Sequence, residues 1–533
     1  MSPEVFTQLV ARIEGFGVDS RVEDGGVSRV LLLRPGRATC KRRCDQQDQR
    51  RPSQAFRHLE QPHSVELVGA FPHVIAYEGA KRIHRKKRWN PQAVPSVAAR
   101  GVFMRVGLHT ARSFSAQFGS YLAGLGVRAL EVVGKLALYM LAARALGAAE
   151  SGLFFICITW SGLASTAARM GFERAMTRHI AAELAIGAPG LARAALLLGI
   201  FATLLGGAVA AIATFALASP AALYVFRQPE LAAPLALSAA AVLPQTLMVV
   251  AGSVLAGLNR GVASQVVQNA LWPVLTLAAL GLGARSVDAL VLAMAAAMMI
   301  STLTGIGLVA IRRDVFSGRE SRSSEAQTLP ALWRTALPLG VVELIQVSLA
   351  AVPVLVLGVF ADPASVGAFS VANRISMMVW VVIISIGTVA AARFAEHHRR
   401  GELPELRRVN RAVRLAVSVS GVPLIAAMML FPGPILHLIG PGFEIAATAL
   451  VIMAVGQLVN CLLPCQDIVL AMTGHGYWLQ RLNLLQFATC LVLASVLIPA
   501  YGMLGAALVT AATIIQGAVG TTLVVRRVLP GAF

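Results

Sequence analysis

Three charged residues lie close together in an otherwise apolar stretch of the sequence. Arg128, Glu131 and Lys135 are spaced i, i+3 and i+7, which places them on one stripe of a helix. In a membrane-spanning helix each charge would cost about 2.5–3.5 kcal/mol if it faced lipid, so the stripe must face the protein interior or water. Glu131 can pair with either cation, which leaves a net positive charge suited to an anionic ligand. The alternative is a structural ion-pair network between helices.

Three further charges, Glu343, Arg374 and Asp467, fall within apolar stretches of their own. Arg374 could contact a phosphate, which a guanidinium binds bidentately, or it could pair with Glu343. The carboxylates Glu131, Glu343 and Asp467 are candidates either for binding a coupling proton or sodium ion or for ion pairs. Uncharged amides in such stretches more often join helices than bind ligands. They are Gln245, Gln268, Asn269, Gln457, Asn460 and Gln466.

The composition places these charges in a membrane protein. Of the 533 residues, 56% are hydrophobic and only 14% are charged, which is unusual for a soluble globular chain. Windows of about 20 apolar residues match the thickness of a bilayer core. We therefore expect an all-α polytopic membrane protein of about twelve helices. They are predicted at 116–143, 151–171, 191–217, 231–257, 264–284, 288–311, 335–360, 365–392, 412–431, 444–471, 483–499 and 503–525.

The second half of the sequence repeats the first at a constant offset of 215 positions, as from Gly152 to Gly367. The same offset aligns Gly261 with Gly476, Gln265 with Gln480, and Val254-Leu255-Ala256 with Val469-Leu470-Ala471. Six helices per half is an even number, so the two repeats are parallel rather than inverted. Duplicated bundles are typical of secondary transporters, whose substrate path runs between the halves. Arg128 corresponds to Glu343, so equivalent helices carry opposite charges.

Basic residues alternate from loop to loop and predict the topology. By the positive-inside rule the arginine-rich loops are cytoplasmic, which puts both termini of this multi-pass protein in the cytoplasm. The net charge of +20 follows largely from these loops and from the N-terminal region, so it does not indicate a nucleic-acid partner. The basic loops carry Arg174, Arg178 and Arg193; Arg260; Arg312, Arg313, Arg319 and Arg322; Arg393 to Arg411; Arg481; and Arg526 with Arg527.

The N-terminal region differs from the rest. Residues 1–110 are polar and basic, and all lysines except Lys135 precede Met104. This region is predicted to be either a disordered cytoplasmic tail or the product of a start assigned too early, with translation beginning at Met104; we favour the later start. The remaining chain divides into a first six-helix bundle at 111–311, a cytoplasmic linker at 312–334 and a second bundle at 335–527.

Neither a metal site nor a catalytic site is indicated. Cys461 and Cys465 lie four positions apart, but no His or carboxylate completes a metal set, so packing is the better interpretation. The sequence contains neither a Gly-rich phosphate loop with Lys and Ser/Thr nor a His-Glu-x-x-His motif. We therefore expect no enzyme activity, no ATP hydrolysis and no cofactor.

Several segments, in order along the chain, resemble bacterial polysaccharide flippases of the multidrug/oligosaccharidyl-lipid/polysaccharide exporter superfamily. The resemblance covers roughly 110–527. Each motif alone consists mostly of Gly and apolar residues, and their order and spacing give the match its specificity. The segments are 141–154 (LAARALGAAESGLF), 169–175 (RMGFERA) with 178–181 (RHIA), 471–475 (AMTGH) and 497–507 (LIPAYGMLGAA).

The resemblance implies a flippase that carries an undecaprenyl-diphosphate-linked oligosaccharide repeat unit from the cytoplasmic to the periplasmic leaflet. It also implies a central cationic cavity, for which Arg128, Lys135 and Arg374 are the candidates here. The expected partners are the lipid-linked oligosaccharide and membrane lipids, together with a polysaccharide polymerase and glycosyltransferases.

Three other functions stay open at this point. A drug/cation antiporter of the same superfamily would favour an acidic cavity, whereas the stripe at Arg128 is net positive. Lipid II flippases typically carry fourteen helices rather than twelve. A non-transporting scaffold for polysaccharide assembly is the third, and it would not explain why charged residues lie within the membrane.

Overall fold

The computed structural model describes the backbone of residues 97–312, 315 and 329–531, and the side chains of 126–312, 315 and 332–531. Most of the N-terminal tail predicted at 1–110 and the centre of the linker predicted at 312–334 therefore lie outside the described residues. The α-helices are α1 Val97–Arg169, α2 Phe172–Ala185, α3 Pro189–Pro220, α4 Ala232–Gly257, α5 Gly261–Gln265, α6 Leu271–Gly281, α7 Val287–Ala310, α8 Leu329–Phe360, α9 Pro363–Ser376, α10 Met378–Arg400, α11 Leu403–Leu430, α12 Pro432–His437, α13 Ala447–Leu462, α14 Gln466–Met472 and α15 Gly476–Val528.

The prediction of twelve membrane crossings is confirmed for the described part of the chain. Nine helical stretches there are long and apolar enough to cross a bilayer. Two of them, within α1 and α15, are kinked in the middle and make two crossings each. A further crossing is Gly261–Gly281, where α5 and α6 are joined by the π-helix Val266–Ala270.

Both kinks within long helices occur at a glycine. Gly147 in α1 has φ 78° and ψ 176°, and Gly502 in α15 has φ 55° and ψ −126°. A side chain at these backbone angles would be strained, so glycine lets the chain turn back into the membrane without a longer loop. The turns separate the first two crossings and the last two.

One predicted span contains a break that the sequence pattern did not reveal. The span predicted at 444–471 is divided into α13 and α14. Pro464 lies in the break and lacks a backbone N–H, and Cys465 next to it has φ 59°. Cys461 therefore lies on α13 and Cys465 in the break before α14, with both thiols buried. By contrast, α8 continues through Pro353.

The two halves meet at a pair of glycines that the repeat makes equivalent. A Cβ at Gly152 would lie 1.9 Å from the carbonyl oxygen of Pro363, and a Cβ at Gly367 would lie 2.1 Å from the carbonyl oxygen of Ala148. Ala148 and Pro363 are themselves related by the 215-residue offset. The contact is thus symmetric, as expected for two equivalent repeats that face each other.

The halves also touch at the end of the bundle that carries the arginine-rich loops, called here the basic end. Gly171, just after α1, packs on Gly340 of α8; a Cβ at Gly171 would lie 2.4 Å from the Gly340 nitrogen. The Phe172 and Trp333 rings lie 5.5 Å apart beside this contact. The second crossing of α1 therefore contacts the C-terminal half at both of its ends.

Candidate functional site

A cavity of about 470 Å³ lies between the two halves and is called here the central cavity. Its walls are residues 128–139 and 158–162 of α1, residues 347–354 of α8, and the stretch from Ser370 to Ile384 in α9 and α10. The glycine contact at Gly152 closes the bundle beyond one end of these walls. Helix α10 packs mainly on α11 and α14 rather than on α1 in the described part of the chain. The open side of the cavity thus lies between α1 and α10.

The charged stripe of α1 forms part of this wall, and Glu131 is its centre. Arg128 Nη1 donates to Glu131 Oε2 at 2.8 Å, and Lys135 Nζ donates to Glu131 Oε1 at 2.9 Å. The Glu131 side chain is 9% exposed, whereas those of Arg128 and Lys135 are 42% and 28% exposed. One buried carboxylate thus orients two cations whose remaining donors face the cavity.

The π-helix Val266–Ala270 contributes a second anchor for Lys135. Asn269 lies in this wider turn, and its Oδ1 accepts a hydrogen bond from Lys135 Nζ at 3.1 Å. The ammonium also lies 5.9 Å from the centre of the Trp272 ring. Local π-helices often occur at functional positions because they change the direction in which side chains point.

Arg374 reaches the same cavity from α9. Its guanidinium lies 3.5 Å from the centre of the Tyr139 ring and 4.7 Å from that of Phe155. Among the described residues no carboxylate lies within ion-pair distance of Arg374, and its buried Nε has no hydrogen-bond partner. The rings hold the cation by cation–π attraction and leave donor capacity free.

The sequence left open whether Arg374 pairs with Glu343. In the structure the two residues do not form an ion pair. Glu343 pairs instead with Arg174 of α2, across the interface between the halves at the basic end. Near this pair, Arg169 and Glu173 are buried, with Arg169 Nη1 donating to Ser165 Oγ at 2.7 Å. Glu343 thus belongs to the contact that joins α2 to α8 and does not line the central cavity.

Asp467 lies elsewhere as well, at the start of α14. It lines a second cavity, inside the C-terminal half, together with Gln457, Asn460 and Gln466. Of the six candidate residues, the structure therefore brings Arg128, Glu131, Lys135 and Arg374 together in the central cavity. Glu343 and Asp467 are separate from them. No group of three His, Cys, Asp or Glu side chains in the described part of the chain is placed to hold a metal ion.

Two aromatic residues of the cavity were not anticipated from the sequence. Tyr139 continues the charged stripe by one turn beyond Lys135, so the helical spacing carried a signal for it. Trp380 lines the cavity from α10 and is 45% exposed. An isolated tryptophan in an apolar span has no spacing signal, and only the packing of α10 identifies it.

Beside the basic end, α2 lies outside the membrane-spanning segments and contacts α8. His179 Nε2 lies 3.3 Å from Thr335 Oγ1. Burial, together with the nearby charge of Arg178, lowers the pKa of the His179 imidazole. The neutral ring is thus favoured at this interface near neutral pH.

Family models match most of the membrane-spanning part. A model described as polysaccharide biosynthesis protein matches residues 129–397, half of the chain, and a model described as MatE matches residues 338–497. A curated relative, the probable flippase AglR of Haloferax volcanii, is 29% identical over 187 residues. That alignment covers 33% of this chain and 37% of the relative, so the chain spans little more than a third of the relative's length.

Solved structures show the same fold. An inward-facing multidrug resistance transporter of the MATE family superposes with a TM-score of 0.57 at 14% identity, covering 74% of this chain and 95% of that one. The lipid II flippase MurJ in an inward closed conformation superposes with a TM-score of 0.55 at 13% identity, covering 76% and 87%. At such identities the likeness concerns the fold alone. The predicted MATE-like architecture is confirmed.

Proposed function

Because the chain belongs to the polysaccharide biosynthesis protein family of the multidrug/oligosaccharidyl-lipid/polysaccharide exporter superfamily, we propose that it is a flippase for a lipid-linked oligosaccharide. Its substrate is an undecaprenyl-diphosphate-linked repeat unit, moved across a bacterial inner membrane for exopolysaccharide, O-antigen or capsule synthesis. The observation that supports this most is the convergence of Arg128, Lys135 and Arg374 on one cavity between the halves.

The diphosphate is the part of such a substrate that these cations fit. Three cations and one carboxylate give the central cavity a net positive charge. Arg374 can offer a guanidinium edge, and Arg128 and Lys135 keep donors beyond those that Glu131 accepts. Charge-assisted hydrogen bonds of this kind are the stronger ones, and arginine suits phosphate geometry. Glu131 then acts by holding the two cations rather than by touching the anion.

The open side between α1 and α10 fits a ligand with a long lipid chain. A polyprenyl chain is too apolar to leave the bilayer, so it must stay in lipid while the head group enters the protein. An entry between two membrane-spanning helices permits this, whereas an entry through a loop would not.

A drug/cation antiporter is the main competing function, because MATE transporters share the fold. A cationic drug would meet a cavity with a net positive charge and would be repelled from it. A lipid II flippase shares both the fold and the anionic head group. The two flippase functions therefore differ in the sugar and peptide portion, and the cellular phenotype separates them.

Deletion of the gene tests the proposal. We expect lipid-linked repeat units to accumulate and surface or secreted polysaccharide to disappear, both restored by the wild-type gene. Normal polysaccharide with a gain in drug sensitivity would refute the flippase function and favour the antiporter. Lysis of growing cells, with accumulation of lipid II, would favour the lipid II flippase.

A further inference from the structure

The second cavity, inside the C-terminal half, differs in chemistry from the central cavity and is called here the C-half cavity. It has a volume of about 490 Å³ and is lined by α8, α9, α10, α13, α14 and α15. Its size lies within the range of about 300–1,000 Å³ that is usual for small-molecule sites. Among the described residues, no lysine or arginine lines it, and Asp467 is the one charged residue of its wall.

Amides and hydroxyls supply the polar lining of the C-half cavity. These groups both donate and accept hydrogen bonds, as the hydroxyl groups of a neutral sugar require. They are Gln346, Asn373, Gln457, Asn460, Gln466, Asn483, Gln486, Thr510, Thr513 and Thr521. Apolar side chains such as Leu349 and Ile468 complete the wall and can cover the apolar face of a sugar ring.

Several of these polar groups have no partner in the protein. Within the described part of the chain, Gln346 and Asn483 make no hydrogen bond. Gln466 is 1% exposed, and although its Nε2 donates to Asn410 Oδ1 at 3.0 Å, its Oε1 is buried without a donor. Asn373 Oδ1 is likewise buried and unpaired. Buried polar atoms are normally hydrogen-bonded, so the oxygens of Gln466 and Asn373 point to a ligand or ordered water. Gln346 is exposed and Asn483 half-buried, so both keep free donors and acceptors at the cavity wall.

The two cavities adjoin each other. Ala350, Asn373, Met377, Trp380 and Ile384 line both of them. Asn373 precedes Arg374 in the same turn of α9, so an anion held by Arg374 lies beside the entrance to the C-half cavity. A ligand with an anionic centre and a neutral polar extension can therefore occupy both at once.

We propose that the C-half cavity is a binding site for the neutral sugars next to the diphosphate. This inference rests on the proposed flippase function and extends it, because it separates recognition of the glycan from recognition of the anion. The central cavity holds the diphosphate, and the C-half cavity accepts the adjoining sugars through Gln346, Asn483 and the unpaired oxygen of Gln466.

Photocrosslinking in cells tests this with the native glycan. A benzoylphenylalanine at position 483 is compared with one at Thr159 in the central cavity and one at Leu508, which is 39% exposed on α15. We expect adducts at 159 and 483 to carry the sugars of the repeat unit, and adducts at 508 to carry phospholipid only. Glycan at 159 but not at 483 would overturn the inference and leave the flippase function standing. Absence of glycan at both positions would count against the function itself.

Binding to the purified protein gives a second test. The probes are farnesyl diphosphate, which has the anion without sugars, and the lipid-linked repeat unit extracted from the deletion strain. We expect Asn483→Leu to weaken binding of the glycan probe about tenfold, through lost hydrogen bonds, and to leave farnesyl diphosphate unchanged. Equal loss of binding for both probes would contradict the assignment of this cavity to the glycan. Unchanged glycan binding, with a change in how transport depends on sodium, would contradict it as well.

The repeat provides a matched control for this test. Asn460 in the C-half cavity corresponds to Gln245 in the N-terminal half, 215 positions earlier, and Gln245 lines neither cavity. Asn460→Leu should weaken glycan binding, and Gln245→Leu should not. If Gln245→Leu weakens binding as much as Asn460→Leu, the effect is a general loss of helix packing.

Discussion

The two halves of the molecule share a backbone plan but present different chemistry to the path between them. On the first helix of the N-terminal half, Arg128, Glu131 and Lys135 form the charged stripe. The positions 215 residues later are Glu343, Gln346 and Ala350. Only Gln346 and Ala350 line a cavity there, and both are uncharged. Duplication has thus kept the helix positions while the charges have diverged.

The interiors of the two halves differ in the same direction. In the N-terminal half, Gln268 packs so closely on Gly252 that a Cβ there would lie 2.2 Å from the Gln268 side chain. The equivalent positions in the C-terminal half are Asn483 and Asp467, which line an open cavity. Similarly Met298, 2% exposed in the first core, corresponds to Thr513. At these positions the first half is closely packed, whereas the second half keeps a polar space.

The difference shows how a symmetric scaffold can bind an asymmetric ligand. A lipid-linked oligosaccharide has an anionic centre with sugars on one side and lipid on the other, so identical halves could not bind it in a single orientation. The N-terminal half supplies most of the charge, and the C-terminal half supplies Arg374 and the neutral polar lining. The following predictions test this division.

Reversing the charged stripe should have the largest effect. Arg128→Glu combined with Lys135→Glu removes two cations that can donate charge-assisted hydrogen bonds, each worth about 1.5–3 kcal/mol. At 1.4 kcal/mol per factor of ten, export should fall by about a hundredfold or more. Export is measured as surface polysaccharide per unit of membrane-inserted protein. Arg408→Glu, at a side chain 81% exposed outside the cavity, is the control and should keep export.

Replacing Arg374 should have the next largest effect and distinguishes charge from geometry. Arg374→Lys keeps the positive charge but loses the planar fork and the stacking on Tyr139. We expect export to fall about tenfold in Arg374→Lys and further in Arg374→Gln. The measurement is again polysaccharide export at equal protein level. Equal export from Arg374→Lys and the wild type would show that the site needs only a charge.

The symmetric glycine contact should respond symmetrically. Gly152→Ala and Gly367→Ala each insert a methyl group against backbone atoms, at 1.9 and 2.1 Å. Overpacking of this kind costs about 1–3 kcal/mol, so both variants should lower the melting temperature of the detergent-purified protein. In Gly162→Ala the new methyl group would have its nearest neighbour at 3.9 Å, so the melting temperature should be unchanged. A large loss in only one of the two glycine variants would contradict the twofold relation.

The ion pair between Arg174 and Glu343 should matter least. The Arg174 side chain is 48% exposed, so screening by solvent limits the pair to about 0–1 kcal/mol. A double-mutant cycle of Arg174→Ala and Glu343→Ala, read as melting temperature and as export, measures the coupling. A severe loss of export in Glu343→Ala alone would show that Glu343 has a direct role in transport.

The fold could be predicted far more completely than the site. Apolar windows, glycine turns and arginine-rich loops gave the twelve spans because the bilayer fixes their length and charge. The stripe at Arg128 could be predicted because its residues share one helix. The ring contact of Arg374 with Tyr139 joins residues 235 positions apart, and helical spacing carries no information about such pairs.

The C-half cavity was not predictable for the same physical reason. Its lining comes from six helices, and each amide alone is typical of a hydrogen bond between helices. The break at Pro464 places Gln466 and Asp467 on a separate helix. Their side chains therefore point in directions that helical spacing along a continuous span does not predict. The repeat offset could have indicated the divergence, since it pairs Gln346 with Glu131 and Asp467 with Gly252.

Translocation by the purified protein tests the central claim most directly. The wild type and a variant carrying Arg128→Gln, Lys135→Gln and Arg374→Gln are placed in liposomes with the lipid-linked oligosaccharide extracted from the deletion strain. An impermeant glycosidase then measures how fast glycans of the inner leaflet become accessible. We predict rapid exposure with the wild type and the rate of empty liposomes with the variant, provided that both proteins have the same helical content. Exposure by the variant at the wild-type rate, or by the wild type at the rate of empty liposomes, would contradict a flippase that binds its substrate through these three cations.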